Sequence, residues 1–225
     1  MSLKTAITSD GEQVTLKTFL YYLGGVIFCS LGISLCTKAG FGLSMIGAGP
    51  YILHVFFKNM MPWFTQGTAE YFWEALILAV TCIIIRKAKV KYLLSFITAV
   101  ICGLVIDACF FVLGGNGVYS SLTARITSFA CGTIICAFGV ACYFRTNLPL
   151  QVYELTVTEI AKNFNIPNSK VKLGFDISML AICILMTLIL NHSFAGIGIG
   201  TFIITAVNAP LISIFGKLLD KVDKK

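Results

Sequence analysis

Six apolar stretches dominate this chain: Phe19 to Thr37, Thr68 to Ile85, Tyr92 to Leu113, Leu122 to Phe144, Val171 to Leu190 and Gly196 to Phe215. Each has about the 20 residues needed to cross a hydrocarbon core of roughly 30 Å. Lipid offers no partner to a free peptide N–H or C=O, so such stretches must close their hydrogen bonds internally and fold as helices. With 57% hydrophobic and 12% charged residues in 225, nothing is left for a soluble head. The composition predicts an all-α polytopic membrane protein and excludes catalysis in a separate domain. The net charge of +7 is spread between the apolar runs. It reads as a set of topology signals, not as a nucleic-acid face.

Two further apolar stretches, Phe41 to Phe57 and Leu148 to Phe164, are too short to be secure spans. The first is interrupted at Gly47 to Pro50 and the second carries Glu154, Glu159 and Lys162. Spans, re-entrant hairpins and interfacial helices all remain open for them. Charge bears on the choice. With six spans and a cytoplasmic N-terminus, Lys4, Lys17, Arg86, Lys87, Lys89, Lys91, Arg145, Lys162, Lys170, Lys172, Lys217, Lys221, Lys224 and Lys225 fall inside, which is 14 of the 17 basic residues. Lys38, Lys58 and Arg125 fall outside, making 14 against 3; if both short stretches crossed, the split would be 11 against 6. The positive-inside rule favours six spans with both termini cytoplasmic. Tyr21, Tyr22, Trp63, Tyr71, Trp73, Tyr92 and Tyr143 lie near expected span ends, where interfacial aromatics belong. The first 17 residues are polar and no A-x-A-like site follows the first apolar run, so that run is expected to be a retained span.

The chain also repeats itself. Gly25-Val-Ile-Phe-Cys-Ser-Leu-Gly32 aligns with Gly132-Thr-Ile-Ile-Cys-Ala-Phe-Gly139, and the same frame pairs Lys38 with Arg145. With small loop differences, Glu74 pairs with Asp176 and Asp107 with Asn208. The unit is span, short stretch, span, span, used twice. Three crossings per unit turn the second copy upside down, which predicts two inverted three-helix repeats, each with an extra short re-entrant or interfacial helix. The expected boundaries are a cytoplasmic segment 1–18, repeats at 19–114 and 122–217, an external loop 115–121 and a basic tail 218–225.

Lys38-Ala-Gly-Phe-Gly-Leu-Ser44 after a glycine-bearing first span, the basic loop before the third span, the acidic residue within that span and the two-copy layout resemble the bacterial YczE/YyaS/YitT group of integral membrane proteins. The resemblance covers roughly residues 19 to 217. Members commonly carry a Pro-Trp-Asp-like turn after the Gly-x-Gly element; this chain has Met45-Ile-Gly47 in the first copy and keeps an acid, Val152-Tyr-Glu154, in the second. The resemblance implies a bacterial plasma-membrane protein and brings no substrate class with it.

Intramembrane carboxylates are costly, at about 2.5 to 3.5 kcal/mol on insertion scales, and often mark ion or substrate paths. Depth along the helices places Lys38, Glu74 and Asp107 toward the outer face, with Arg145, Asp176, Asn208 and Glu154 as a matching set toward the inner one. An ion or substrate path through these residues is one expectation; acid–base ties between helices near the headgroups are the other. His54 and His192 have no metal-ligand spacing. The nine cysteines, Cys29, Cys36, Cys82, Cys102, Cys109, Cys131, Cys136, Cys142 and Cys183, contain no CxxC and read as small hydrophobes. No GxSxG elbow or P-loop is present. The expectation is a secondary transporter or permease for a small solute or ion, not an enzyme, with no cofactor and no metal. A membrane scaffold, or a substrate-binding subunit needing an energising partner, remains open, as does association with a protein partner or a second copy. In a cysteine-free background, a single cysteine at position 117 is expected to react with impermeant thiol reagents only from outside the cell; labelling only from inside would reverse the topology.

Overall fold

The computed structural model describes residues 15–86, 89–146, 148, 151–191 and 196–223, and the regular elements among them are all α-helices. They run in the order α1 (Leu16–Ala39), α2 (Met45–Phe57), α3 (Gln66–Ile85), α4 (Val90–Val112), α5 (Leu122–Tyr143), α6 (Val152–Phe164), α7 (Asn168–Asn191) and α8 (Ile199–Asp223). Among these, α1, α3, α4, α5, α7 and α8 are long and apolar enough to cross a bilayer. The protein is therefore a polytopic α-helical membrane protein. Ile83, Phe111, Val112 and Ile199 are largely exposed on its sides, as lipid-facing residues are.

At the centre, α1 packs against α5 through glycines. A Cβ on Gly32 would stand 2.6 Å from that of Cys136, and one on Gly139 would stand 2.6 Å from the Cys29 backbone nitrogen, so neither position has room for a side chain. Lipid tails are as apolar as the side chains they would replace, so no hydrophobic force drives two such helices together. Close backbone approach supplies the dispersion attraction instead. The contacts are also reciprocal. Gly32 meets Cys136 as Gly139 meets Cys29, and Gly132 meets Cys36 as Gly25 meets the Tyr143 ring. The spacing of 107 residues between Cys29 and Cys136 converts each contact into its counterpart.

The same spacing relates α2 to α6. Each has 13 residues, so each is about 20 Å long, too short to cross. Their N-caps are Ser44 and Gln151, and both caps line the same central cavities. Their C-terminal ends point to opposite ends of the bundle. In α2, the His54 Nδ1–H donates to Phe64 O at 2.9 Å and Nε2 faces Asn116, beyond the end of α4. In α6, Glu159 accepts from Lys89 at 2.6 Å and from Tyr92 at 2.8 Å, where α4 begins. Burial raises the Glu159 pKa, but the Lys89 and Tyr92 hydrogen bonds outweigh it and hold this carboxyl below its ordinary value. α2 packs on α3 and α7, and α6 on α3, α4 and α7, so both half-helices are inserted among the spans.

The N-terminal end of α1 and the C-terminal ends of α5 and α8 are tied together. Lys17 pairs with Asp223 at 2.9 Å, Tyr21 donates to Asp223, and Arg145 bridges Asp223 at 2.6 Å and Asp220. Three sequence expectations are corrected here. Arg145 belongs to this clasp and not to a polar cluster with Asp176 and Asn208. α8 continues to Asp223, so residues 218–223 are helix and not tail. Trp73, expected at an interface, is buried against Gly49. Gly32→Val is expected to cost about 1–3 kcal/mol by overpacking the α1/α5 contact, whereas Gly174→Ala, where a Cβ meets nothing, is expected to leave thermal unfolding of the purified protein near wild type.

Candidate functional site

The N-terminal ends of α2 and α6 face a cavity in two connected parts. An inner chamber of about 110 Å³ is lined by Cys29, Gly32, Cys36, Ser44, Gly47, Glu70, Thr133, Cys136, Gln151 and Asn208. A vestibule of about 440 Å³ shares Ser44, Val140, Gln151, Ile204 and Asn208 with it and adds Tyr143, Tyr153, Glu154, Lys172, Asp176 and Ser213. The vestibule lies toward the end of the bundle that holds the terminal clasp. Toward the opposite end the chain is closed. Gly40 (φ 66°) ends α1 in the left-handed conformation, and Gly42 (φ 114°) brings the connection between α1 and α2 against Gly198 and Thr201. There Leu43 N–H donates to Gly196 O and Gly200 N–H to Phe41 O, both at 2.9 Å. Arg125 caps the turn by donating to the carbonyls of Ala39 and Gly40.

α3 presents Gln66, Glu70 and Glu74 toward the protein interior, all nearly inaccessible. Their spacing of four residues stacks them on one helix face. Glu74 Oε2 accepts from the first N–H of α6, Val152, at 3.4 Å. A carboxylate there meets the unpaired amides and the positive end of the helix dipole. Glu70 lines the inner chamber, and its Oε2 has no hydrogen-bond partner. Asn208 Oδ1 is likewise unpartnered. Pro210, two residues on, lacks an N–H, so the carbonyl of Ala206 loses its helical bond beside the cavity.

The sequence-derived candidates divide. Glu154, Asp176 and Asn208 come together at the vestibule, with Glu154 paired to Lys172 at 3.3 Å. Lys38, Glu74 and Asp107 do not form the outer cluster that depth alone indicated. Lys38 donates to Gly115 O at 2.7 Å and lies over the Tyr119 ring. Asp107 accepts from Gly67 N at 2.9 Å and from Thr65 Oγ1 at 2.6 Å. It therefore caps α3, and it lines neither cavity. Glu70 escaped the sequence reasoning, although Gln66-x3-Glu70-x3-Glu74 is legible as one helix face. His54 is engaged in the hydrogen bonds described above; His192 lies outside the described residues. Among the described residues, no three His, Cys, Asp or Glu side chains are placed to hold a metal ion.

A family model for proteins of unknown function matches residues 16–217. The chain belongs to the DUF6198 family. It is 27% identical over 207 residues to "Uncharacterized protein YyaS" of Bacillus subtilis (strain 168), covering 90% of this chain and 94% of that one. The resemblance carried by Lys38 to Ser44 thus extends across a YyaS-like family. No solved structure matches the chain.

Asp107→Ala is expected to destabilise the protein by about 1–2 kcal/mol through loss of the α3 cap, and Asp107→Asn, which keeps an acceptor, by less. Thermal unfolding of the two purified variants checks this.

Proposed function

We propose that this protein is a secondary transporter or permease for a small solute, built as an inverted repeat, with its binding site where the half-helices α2 and α6 meet. The observation that carries the proposal is the central cavity itself. Ser44 and Gln151, counterparts across the 107-residue spacing, cap two half-helices there, beside a buried carboxylate with a free oxygen. Discontinuous helices ending at a polar site between related halves are a recurrent plan among secondary transporters. Non-helical backbone at such depth is tolerated where it lines a cavity or is buried in protein.

Access supports the same proposal. The cavity widens toward the terminal clasp and is closed at the other end by the Phe41, Gly42, Gly198 and Gly200 contacts. Rocking of α2 with its neighbours against α6 with its own would open one end while closing the other. The basic side chains Lys17 and Arg145 lie at the clasp end, so this arrangement is read as inward-facing in a bacterial plasma membrane with cytoplasmic termini. The glycine contact between α1 and α5 then serves as the pivot, because its reciprocal geometry suits both arrangements.

The test is reconstitution. Liposomes containing the purified chain are loaded with a mixed small-solute extract, and the internal solutes are compared with those of empty liposomes over time by mass spectrometry. Solute-specific flux is expected. Val140→Trp, which fills the passage shared by chamber and vestibule, is expected to abolish it, and Asn208→Ala to slow it about tenfold, the value of one hydrogen bond. Flux only with an added ATP-hydrolysing partner would make the chain a binding subunit. No flux under either condition would leave a scaffold role.

A further inference from the structure

We propose that the solute is a small cation rich in N–H donors, an alkylammonium or guanidinium, and that it exchanges with a proton on Glu70; this rests on the transport role proposed above. The unpaired atoms set the polarity. Glu70 Oε2 and Asn208 Oδ1 are the unpartnered buried side-chain atoms on residues lining the chamber; the amide oxygen is an acceptor, and the carboxyl oxygen is one once Glu70 has given up its proton. A ligand that satisfies them must donate, and buried acceptors without donors are costly.

The helix ends do not reverse this conclusion. A bare N-terminus favours an anion, but α6 already has Glu74 against its first amide, and the Ser44 hydroxyl oxygen accepts from Gly47 N–H at the start of α2. Among the ionisable side chains lining the two cavities are the carboxyls Glu70, Glu154 and Asp176 and one amine, Lys172, which is held by Glu154. The route from vestibule to chamber is therefore acidic. Its inner space of about 110 Å³ admits a cation of few heavy atoms and excludes a large one.

The groups around Glu70 make the exchange with a proton necessary. Glu74 is its neighbour on α3; Cys102 of α4, Cys136 of α5 and Tyr153 of α6 approach it electrostatically; Cys29 and Cys36 of α1 line the chamber with it. From α2 and α8 the chamber receives Ser44, Gly47, Ile204 and Asn208, none of which titrates. No base among these offsets an ionised Glu70, and an isolated buried charge neutralises itself where it can. In the empty chamber Glu70 carries its proton. When the ammonium or guanidinium enters, the Glu70 O–H bond breaks, the proton leaves to bulk water, and the carboxylate accepts an N–H of the cation. One positive charge enters and one departs.

The test uses the purified full-length chain in weakly buffered detergent solution with methylammonium, guanidinium, sodium, potassium, tetrabutylammonium, acetate and phosphate as probes. Methylammonium or guanidinium is expected to raise the unfolding temperature and release a proton into the medium, with tetrabutylammonium inert. Glu70→Gln, which removes a buried acid and is expected to fold at least as well, should weaken the effect about ten- to a hundredfold. Asn208→Asp should strengthen it. Stabilisation by sodium or potassium alone would assign the chamber to a metal cation and overturn the organic one. Stabilisation by acetate or phosphate, or a response unchanged in Glu70→Gln, would overturn the cation while leaving transport standing if the liposome flux persists. No response to any probe would overturn it as well.

Discussion

The fold depends on how closely two backbones can approach in a solvent that offers them no hydrophobic reward for doing so. Gly32 and Gly139 bring α1 and α5 together until side chain and backbone atoms of one helix fill the space that a Cβ of the other would need. The polar ties between these spans follow from that approach. Ser128 donates to Leu35 O at 2.9 Å, and the Cys36 thiol lies 3.9 Å from Phe129 O. Such bonds are worth about 0.6 kcal/mol each on average in membranes. They follow the packing and do not produce it.

Buried polarity is organised by a second constraint, the unpaired amides that every helix start leaves behind. Two carboxylates are used to meet it. Asp107 of α4 caps α3, and Glu74 of α3 approaches the first amide of α6. Each carboxyl gives a helix end the acceptor it would otherwise lack. Glu70, one turn from Glu74, lines the chamber with an oxygen that no helix amide takes up.

Much of this was legible in the sequence, because apolar length and internal repetition are one-dimensional signals. Five of the six spans lie within a few residues of their expected places, the sixth running eight residues further to Asp223, and the short stretches are α2 and α6, with N-caps at Ser44 and Gln151. Partners were not legible. Depth along a helix placed Lys38, Glu74 and Asp107 near one level but said nothing about which way each faces, and their facing sends them to three different places. Arg145 was misplaced for the same reason, its true partners Asp220 and Asp223 lying in a segment whose charge read as a soluble tail. Glu70 stands outside the repeat pairs that single out the other acids, and only the helix face it shares with Gln66 and Glu74 marks it.

The clasp of Lys17, Arg145 and Asp223 makes the chain nearly a closed ring. The first and last of the described helices are held side by side there by charge. A circularly permuted chain, joined across the clasp and opened in the 115–121 loop, keeps the α1/α5 contact and both half-helices intact. Its new ends would emerge at the opposite end of the bundle. The same molecule would then offer its other face to any fused reporter, tether or sequence tag.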